Sequence, residues 1–339
     1  MIDILDDVVV DEELSDGARN AVNTCLRLKP FEKVTLITDD ASRDIAASIH
    51  REIMKVGSPC TTYALERFAP RPHTEMPQEI LDDLATSQVS VYAVVGQFGE
   101  LKTRMEMTAV ITKHRIRHAH MINITKEIMT DGMRADFNEI DKISSTVRDI
   151  AAAAKKIRAT SSGGTDIIAE FSPQIKWIKT SGIINTEKWG NLPGGEVFTS
   201  PKNVNGMYVV DGVVGDYLCA KYADLKDSPL TIYIKDSRIS EIHSSNKKLE
   251  EEFWSYTHTD ENSDRVGEFA IGTNTKLTRV IGNILQDEKI PGVHIAFGHP
   301  YAEHTGAQWR SSTHIDVVGT GFTIVVDDRR IMERGRFTL

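Results

Sequence analysis

Val34-Thr35-Leu36-Ile37-Thr38-Asp39-Asp40 reads as a buried strand running directly into helix-capping residues. Five apolar or β-branched residues in a row suit a strand covered on both faces. Asp39 and Asp40 then offer carboxylates to the first free amides of a helix over roughly Ser42–Val56, whose Ile45, Ile49 and Ile53 share one face. Gly57 supplies the stop. The same succession repeats through the first half. Thr61–Leu65 reads as a strand, Pro77 opens a helix, Val89–Val95 is a strand, Glu100–Lys113 a helix, and His120–Ile124 a further strand. Strands alternating with helices predict βαβ units and a mostly parallel, Rossmann-like sheet.

A long helix is expected over about Asn138–Arg158, and Ser161-Ser162-Gly163-Gly164 breaks the pattern. That break predicts two domains, an N-terminal α/β domain over 1–162 and a C-terminal α+β domain over 163–339. Beyond it, short strands are separated by Gly, Asp and Asn turns: Asp166–Phe171, Ile175–Lys179, Met207–Val210, Leu230–Ile234, Phe269–Ile271, Val293–Phe297, His314–Val318 and Phe322–Val326. Helices are expected over Lys247–Tyr256 and after Asn274.

Composition narrows the function. Forty basic residues against 49 acidic ones give a net charge of −9, the wrong sign for a nucleic-acid or anionic-membrane partner. Cys25, Cys60 and Cys219 are odd in number and far apart, which excludes a zinc ribbon or disulfide scaffold and suits a reducing compartment. The acidic N-terminus has no signal-peptide pattern, and no run of about 18 apolar residues occurs. A soluble, cytoplasmic protein is expected. No GxGxxG follows the first strand and no GxxxxGK[ST] occurs, so the first half lacks the glycine turn that admits a pyrophosphate. Neither GxSxG nor HExxH is present, which removes the serine elbow and the helical zinc-peptidase pattern.

The chemistry is concentrated late in the chain. In Thr313-His314-Ile315-Asp316-Val317-Val318, residues two apart share a face of a strand, so His314 and Asp316 project together. An imidazole and a carboxylate so placed can chelate a divalent ion, although a solvated strand face would show the same pair. His294 interrupts the apolar strand Gly292–Gly298, where a core histidine bonded to backbone is the plainer reading. Tyr301 follows the Gly298-His299-Pro300 turn and can swing back toward the same place; His299 and His304 read as surface or supporting residues. Asn191-Leu192-Pro193-Gly194-Gly195-Glu196-Val197-Phe198-Thr199-Ser200-Pro201 places Glu196 directly after a sterically demanding turn, and Gly267-Glu268-Phe269 places a second glutamate at a strand. Three carboxylates and two imidazoles suit two divalent cations sharing a water.

At these residues the chain resembles the aminopeptidase T family of metallopeptidases. Ser162–Asp166 resembles the family's GTDL segment, Asn191–Pro201 its NLPGGEVFTAP signature, His294–Gly298 its HIALG segment, and Ser312–Gly319 its HIDFMIG segment. The resemblance implies an N-terminal Rossmann-like α/β domain and a C-terminal metal-binding α+β domain. It implies Glu196, Glu268, His294, His314 and Asp316 as metal ligands, Tyr301 as an active-site tyrosine, and a homodimer. Glu288 loosely matches a further acidic position, but Gln286–Pro291 departs from the family pattern.

The implied activity is a hydrolase with two divalent ions (Zn, Co or Mn). It would cleave N-terminal residues from peptides or small amides, with Tyr301 as oxyanion donor and Glu196 or Glu268 as proton shuttle. The related 2,5-dihydroxypyridine dioxygenases, with a similar length and a single iron, give the alternative. His294, His314 and Asp316 would then hold Fe(II) for ring cleavage, or a small-ring compound would be hydrolysed on the same fold.

Overall fold

The computed structural model describes residues 4–5, 8–187 and 189–339. Its strands are, first, β1 (Val34–Thr38), β2 (Cys60–Ala64), β3 (Val89–Val94) and β4 (Arg117–Ile122). Mid-chain come β5 (Lys156–Ser161), β6 (Asp166–Glu170), β7 (Ile178–Thr180), β8 (Gly190–Asn191), β9 (Glu196–Thr199) and β10 (Asn203–Val210). The rest are β11 (Leu230–Lys235), β12 (Arg238–His243), β13 (Val266–Gly272), β14 (Gly292–Gly298), β15 (His314–Val318), β16 (Phe322–Val326), β17 (Arg329–Glu333) and β18 (Arg336–Phe337). The chain divides into two units, Met1–Asn138 with Gly182–Gly194, and Glu139–Ser181 with Gly195–Leu339.

In the first unit, β2-β1-β3-β4-β8 form a wholly parallel sheet. The expected helices lie between its strands, at Arg43–Val56, Gln78–Leu84 and Leu101–His114. Asp39 behaves as its position predicts: its carboxylate accepts the Ser42 amide at 2.9 Å where the chain turns from β1 toward the helix. Strand order reverses between β1 and β3, and the crevice at their carboxyl ends is where open α/β sheets receive nucleotides. Here Arg71 fills that position, 3% exposed. Its guanidinium donates to Asp39 at 2.6 Å, to the Val95 carbonyl at 2.6 Å, and twice to Glu100. Further along β3 and β4, His118 and His120 are buried beside Tyr92 and Trp189.

The second unit holds two antiparallel sheets, β12-β11-β10-β6-β5-β16-β17-β18 and β15-β14-β13-β9-β7. Alternation along the smaller sheet decides its two faces. Phe269, Ile271, Val293, Ile295, Phe297, Ile315 and Val317 point into a core shared with Ile157, Ile167, Tyr208 and Phe322 of the larger sheet. Tyr208 ties the layers by donating its hydroxyl to the Val293 carbonyl at 2.7 Å. The other face carries the residues of chemical interest.

Two expectations need correction. The helix that starts at Phe137 ends at Ala152, and Lys156–Arg158, expected as its last turn, opens β5. Ser161–Gly164 is therefore a turn joining β5 to β6, and the two compact units meet at 138/139, with a second excursion at 182–194. After Asn274 no helix forms until Ile284–Asp287, because the intervening chain is an extended loop. No described helix is long and apolar enough to cross a membrane.

Candidate metal centre

The site is built on the polar face of the smaller sheet in the second unit. In register, Glu196 of β9 lies opposite Gly272, His294 of β14 opposite Ala270, and Asp316 of β15 opposite Ala296, which itself faces Glu268. Residues two apart share the face, so β13 contributes Glu268, Ala270 and Gly272, and β15 contributes His314 and Asp316. The small side chains form a floor from which five long polar ones rise. Two glycines make this possible. Gly195 adopts φ +130°, and a Cβ there would lie 2.7 Å from the Asn274 Cβ; Gly267, at a break in the β13–β14 register, packs so closely that a Cβ would fall 2.2 Å from the Gly298 carbonyl oxygen.

The structure brings all five sequence-predicted ligands together. His294 Nε2 lies 3.5 Å from Glu196 Oε2 and 3.6 Å from Glu268 Oε1. Glu268 Oε2 is 3.9 Å from His314 Nε2, which is 3.4 Å from Asp316 Oδ1. Glu268 therefore faces both imidazoles, one with each oxygen. Donor atoms of Glu196, Glu268 and His294 form one tight group, and those of Glu288, His294 and Asp316 form a second. His314 Nδ1 faces the His299 carbonyl at 2.9 Å, a bond that would leave Nε2 as the lone pair aimed inward. His294 Nδ1 is buried without a described hydrogen-bond partner.

The electrostatics call for a cation. Four carboxylates converge with one ammonium. Burial pulls both imidazoles down, but Glu268 and Glu196 outweigh it at His294, and Asp316 and Glu268 push His314 up to about 10. Glu196 and Asp316 stay below the usual carboxylate range despite burial, held there by Lys289 and His294 and by His314 respectively. Mixed carboxylate and imidazole donors this close are the chemistry of a divalent ion, and the residues fit one.

Two site residues escape a reading of the sequence. Thr180 donates to Glu196 Oε1 at 2.8 Å. Lys289, 1% exposed, bonds Glu196 Oε2 at 2.8 Å and also Glu288. Glu288, noted only loosely, is pushed up to about 8 by burial and by Glu196, against Lys289. Their loop is fixed by Asp287, fully buried, whose carboxylate accepts the amides of Ile281, Gly282 and Asn283. Three charged residues in a row directly before an apolar strand were the available signal. Tyr301 takes a left-handed backbone at φ 47°, its amide bonded to His299 Nδ1. Its ring lies 4.7 Å from that of His314. Burial and the charges of Glu268 and Asp316 keep the phenol protonated, well above its usual pKa.

A profile of the thermophilic metalloprotease (M29) family matches residues 116–328, more than half of the chain and all of the centre described above. The chain belongs to this family. The family is one of metallopeptidases and implies divalent metal. Among solved structures, it is similar to wild-type AmpT from Thermus thermophilus, with 16% identity, TM-score 0.71 and coverage of 96% of this chain and 99% of that one. It is also similar to the 2,5-dihydroxypyridine dioxygenase from Pseudomonas putida, with 14% identity, TM-score 0.69 and 96% of each chain covered. At such identities the likeness shows the shared fold. No curated protein matches the sequence.

Proposed function

We propose that this M29 member is a metal-dependent aminopeptidase acting on peptides or small amides with a free amino terminus. The observation that carries the reading is the convergence of Glu196, Glu268, His294, His314 and Asp316 on one sheet face beside the Tyr301 phenol. Glu268, His294, His314 and Asp316 would hold divalent metal, with Glu196 beside them. When bound, such an ion supplies Lewis acidity and a water acidic enough to act near neutral pH.

The chain's own residues supply the rest. Tyr301 is a neutral donor held in place by a strained backbone, suited to hydrogen-bond a carbonyl oxygen as it gains charge. The excess of carboxylate over ammonium complements the positive amino terminus of a peptide, which is the basis for proposing an exopeptidase. Glu196 and Glu268 are the carboxylates suited to carry a proton to the leaving amine.

The test uses full-length protein, stripped of metal and reconstituted in turn with Zn, Co, Mn and Fe(II), on a panel of dipeptides and aminoacyl amides. Metal-dependent release of the N-terminal residue, lost in Glu268→Gln, is expected. Failure of every metal and substrate, with metal bound, refutes the reading. A ring-cleaving iron enzyme would need two imidazoles and one carboxylate, which His294, His314 and Asp316 contain. Retention of Glu196 and Glu268 beside them favours the hydrolase. Oxygen uptake on dihydroxypyridines by the Fe(II) form would reverse that preference.

A further inference from the structure

The residue that sets this centre apart is Lys289. Its ammonium is buried in the cluster rather than at its rim, and it binds Glu196 and Glu288 together. Each close donor group therefore contains one carboxylate already engaged by the same fixed positive charge, Glu196 in one and Glu288 in the other. Glu196 is the more fully occupied. Oε1 accepts from Thr180 and Oε2 from Lys289, so both oxygens have protein donors. Among the described residues, no protein donor but an imidazole reaches the side-chain carboxylate of Glu268 or Asp316.

The geometry points to Lys289 as a resident cation standing in for one of two metal ions, so that each chain binds a single divalent ion tightly, on Glu268, His294, His314 and Asp316. This deepens the metallopeptidase reading and rests on it. A second ion on Glu196 would have to share Oε2 with the ammonium, and like charges at that separation in a buried site repel strongly. Lysine is suited to such a place because its ammonium is a compact point with three donors, two of them spent on Glu196 and Glu288. Its backbone is fixed: the Lys289 carbonyl accepts the Asn274 amide at 3.0 Å, and its own amide bonds Gln286 O at 2.9 Å.

The experiment counts metal and does not depend on turnover. Metal-free, full-length protein is titrated with Zn2+ and with Mn2+ by calorimetry, and bound metal is measured by elemental analysis after gel filtration. One tight equivalent per chain is expected for the wild type and two for Lys289→Gln and Lys289→Met. Glu196→Gln, which removes the charge and keeps one acceptor oxygen, should retain one equivalent with affinity within about threefold of wild type. Two tight equivalents in the wild type, an unchanged count in both Lys289 variants, or loss of the tight ion in Glu196→Gln would each overturn the inference. No tight divalent ion in the wild type would overturn the metallopeptidase reading along with it.

Discussion

Acid should destabilise the first unit through the buried histidines of β4, by an amount the structure lets one work out. His118 Nδ1 faces Ser90 Oγ at 2.8 Å, and His118 Nε2 faces His120 Nδ1 at 3.2 Å. Burial holds both imidazoles neutral, and it pulls His120 down from 6.5 to about 3. Above pH ~6.5 both folded and unfolded chains carry a neutral ring, and nothing is lost. Below it the unfolded chain takes up a proton that the folded chain refuses. Stability then falls by about 1.4 kcal/mol per pH unit until the folded value is reached. For His120 alone this amounts to about 2 kcal/mol by pH ~5, and His118 acts in the same direction. The perturbation is His120→Phe, since the ring already stacks on Tyr92 with centroids 5.2 Å apart and planes 10° from parallel. Urea unfolding of wild type and variant, followed by circular dichroism at about pH 7.5, 6 and 5, measures the difference. The wild type should lose about 2 kcal/mol more than the variant over that range. Equal losses would refute the reasoning.

Other outcomes follow from single contacts. Arg71→Met strands Asp39 and Glu100 in the crevice between β1 and β3 and should cost about 3–5 kcal/mol in a denaturant titration, most of it recovered when Asp39→Asn and Glu100→Gln are added. Tyr301→Phe should lower kcat by roughly 10²–10³-fold with metal content unchanged by elemental analysis; an unchanged rate would remove the phenol from the mechanism. Gly195→Ala forces a Cβ against Asn274 at φ +130° and should lower stability by about 1–3 kcal/mol in a thermal melt, where a neutral result would show that the turn relaxes freely.

Much of this architecture is legible from local pattern. In the first unit β1 and β3 are largely apolar or β-branched runs buried along their whole length, and in β13 to β15 the polar members fall on one face. What escapes is set by tertiary context. Lys156-Ile157-Arg158-Ala159-Thr160 carries strand alternation, with Ile157 and Ala159 buried between exposed neighbours, yet the alanines ahead of it extend a helical pattern. β8 is two residues long and exists only because β4 offers it an edge. Lys289 looks like part of a solvated turn, because nothing local says that Glu196, far away in sequence, will be waiting for its ammonium. The proposed ligands stood out in the sequence because each is tied to a strand; the ammonium beside them did not, because it comes from a loop.

The path of the chain has one more consequence. It leaves the first unit after Asn138, returns for Gly182–Gly194 to lay down β8, and leaves again one residue before Glu196. Neither unit is a contiguous stretch of gene. A single recombination crossover cannot exchange one for a counterpart from another protein without severing β8 from its sheet or Glu196 from its lead-in. Substrate range in such a lineage is therefore expected to drift by substitution and loop change on an inherited whole, rather than by trading cassettes.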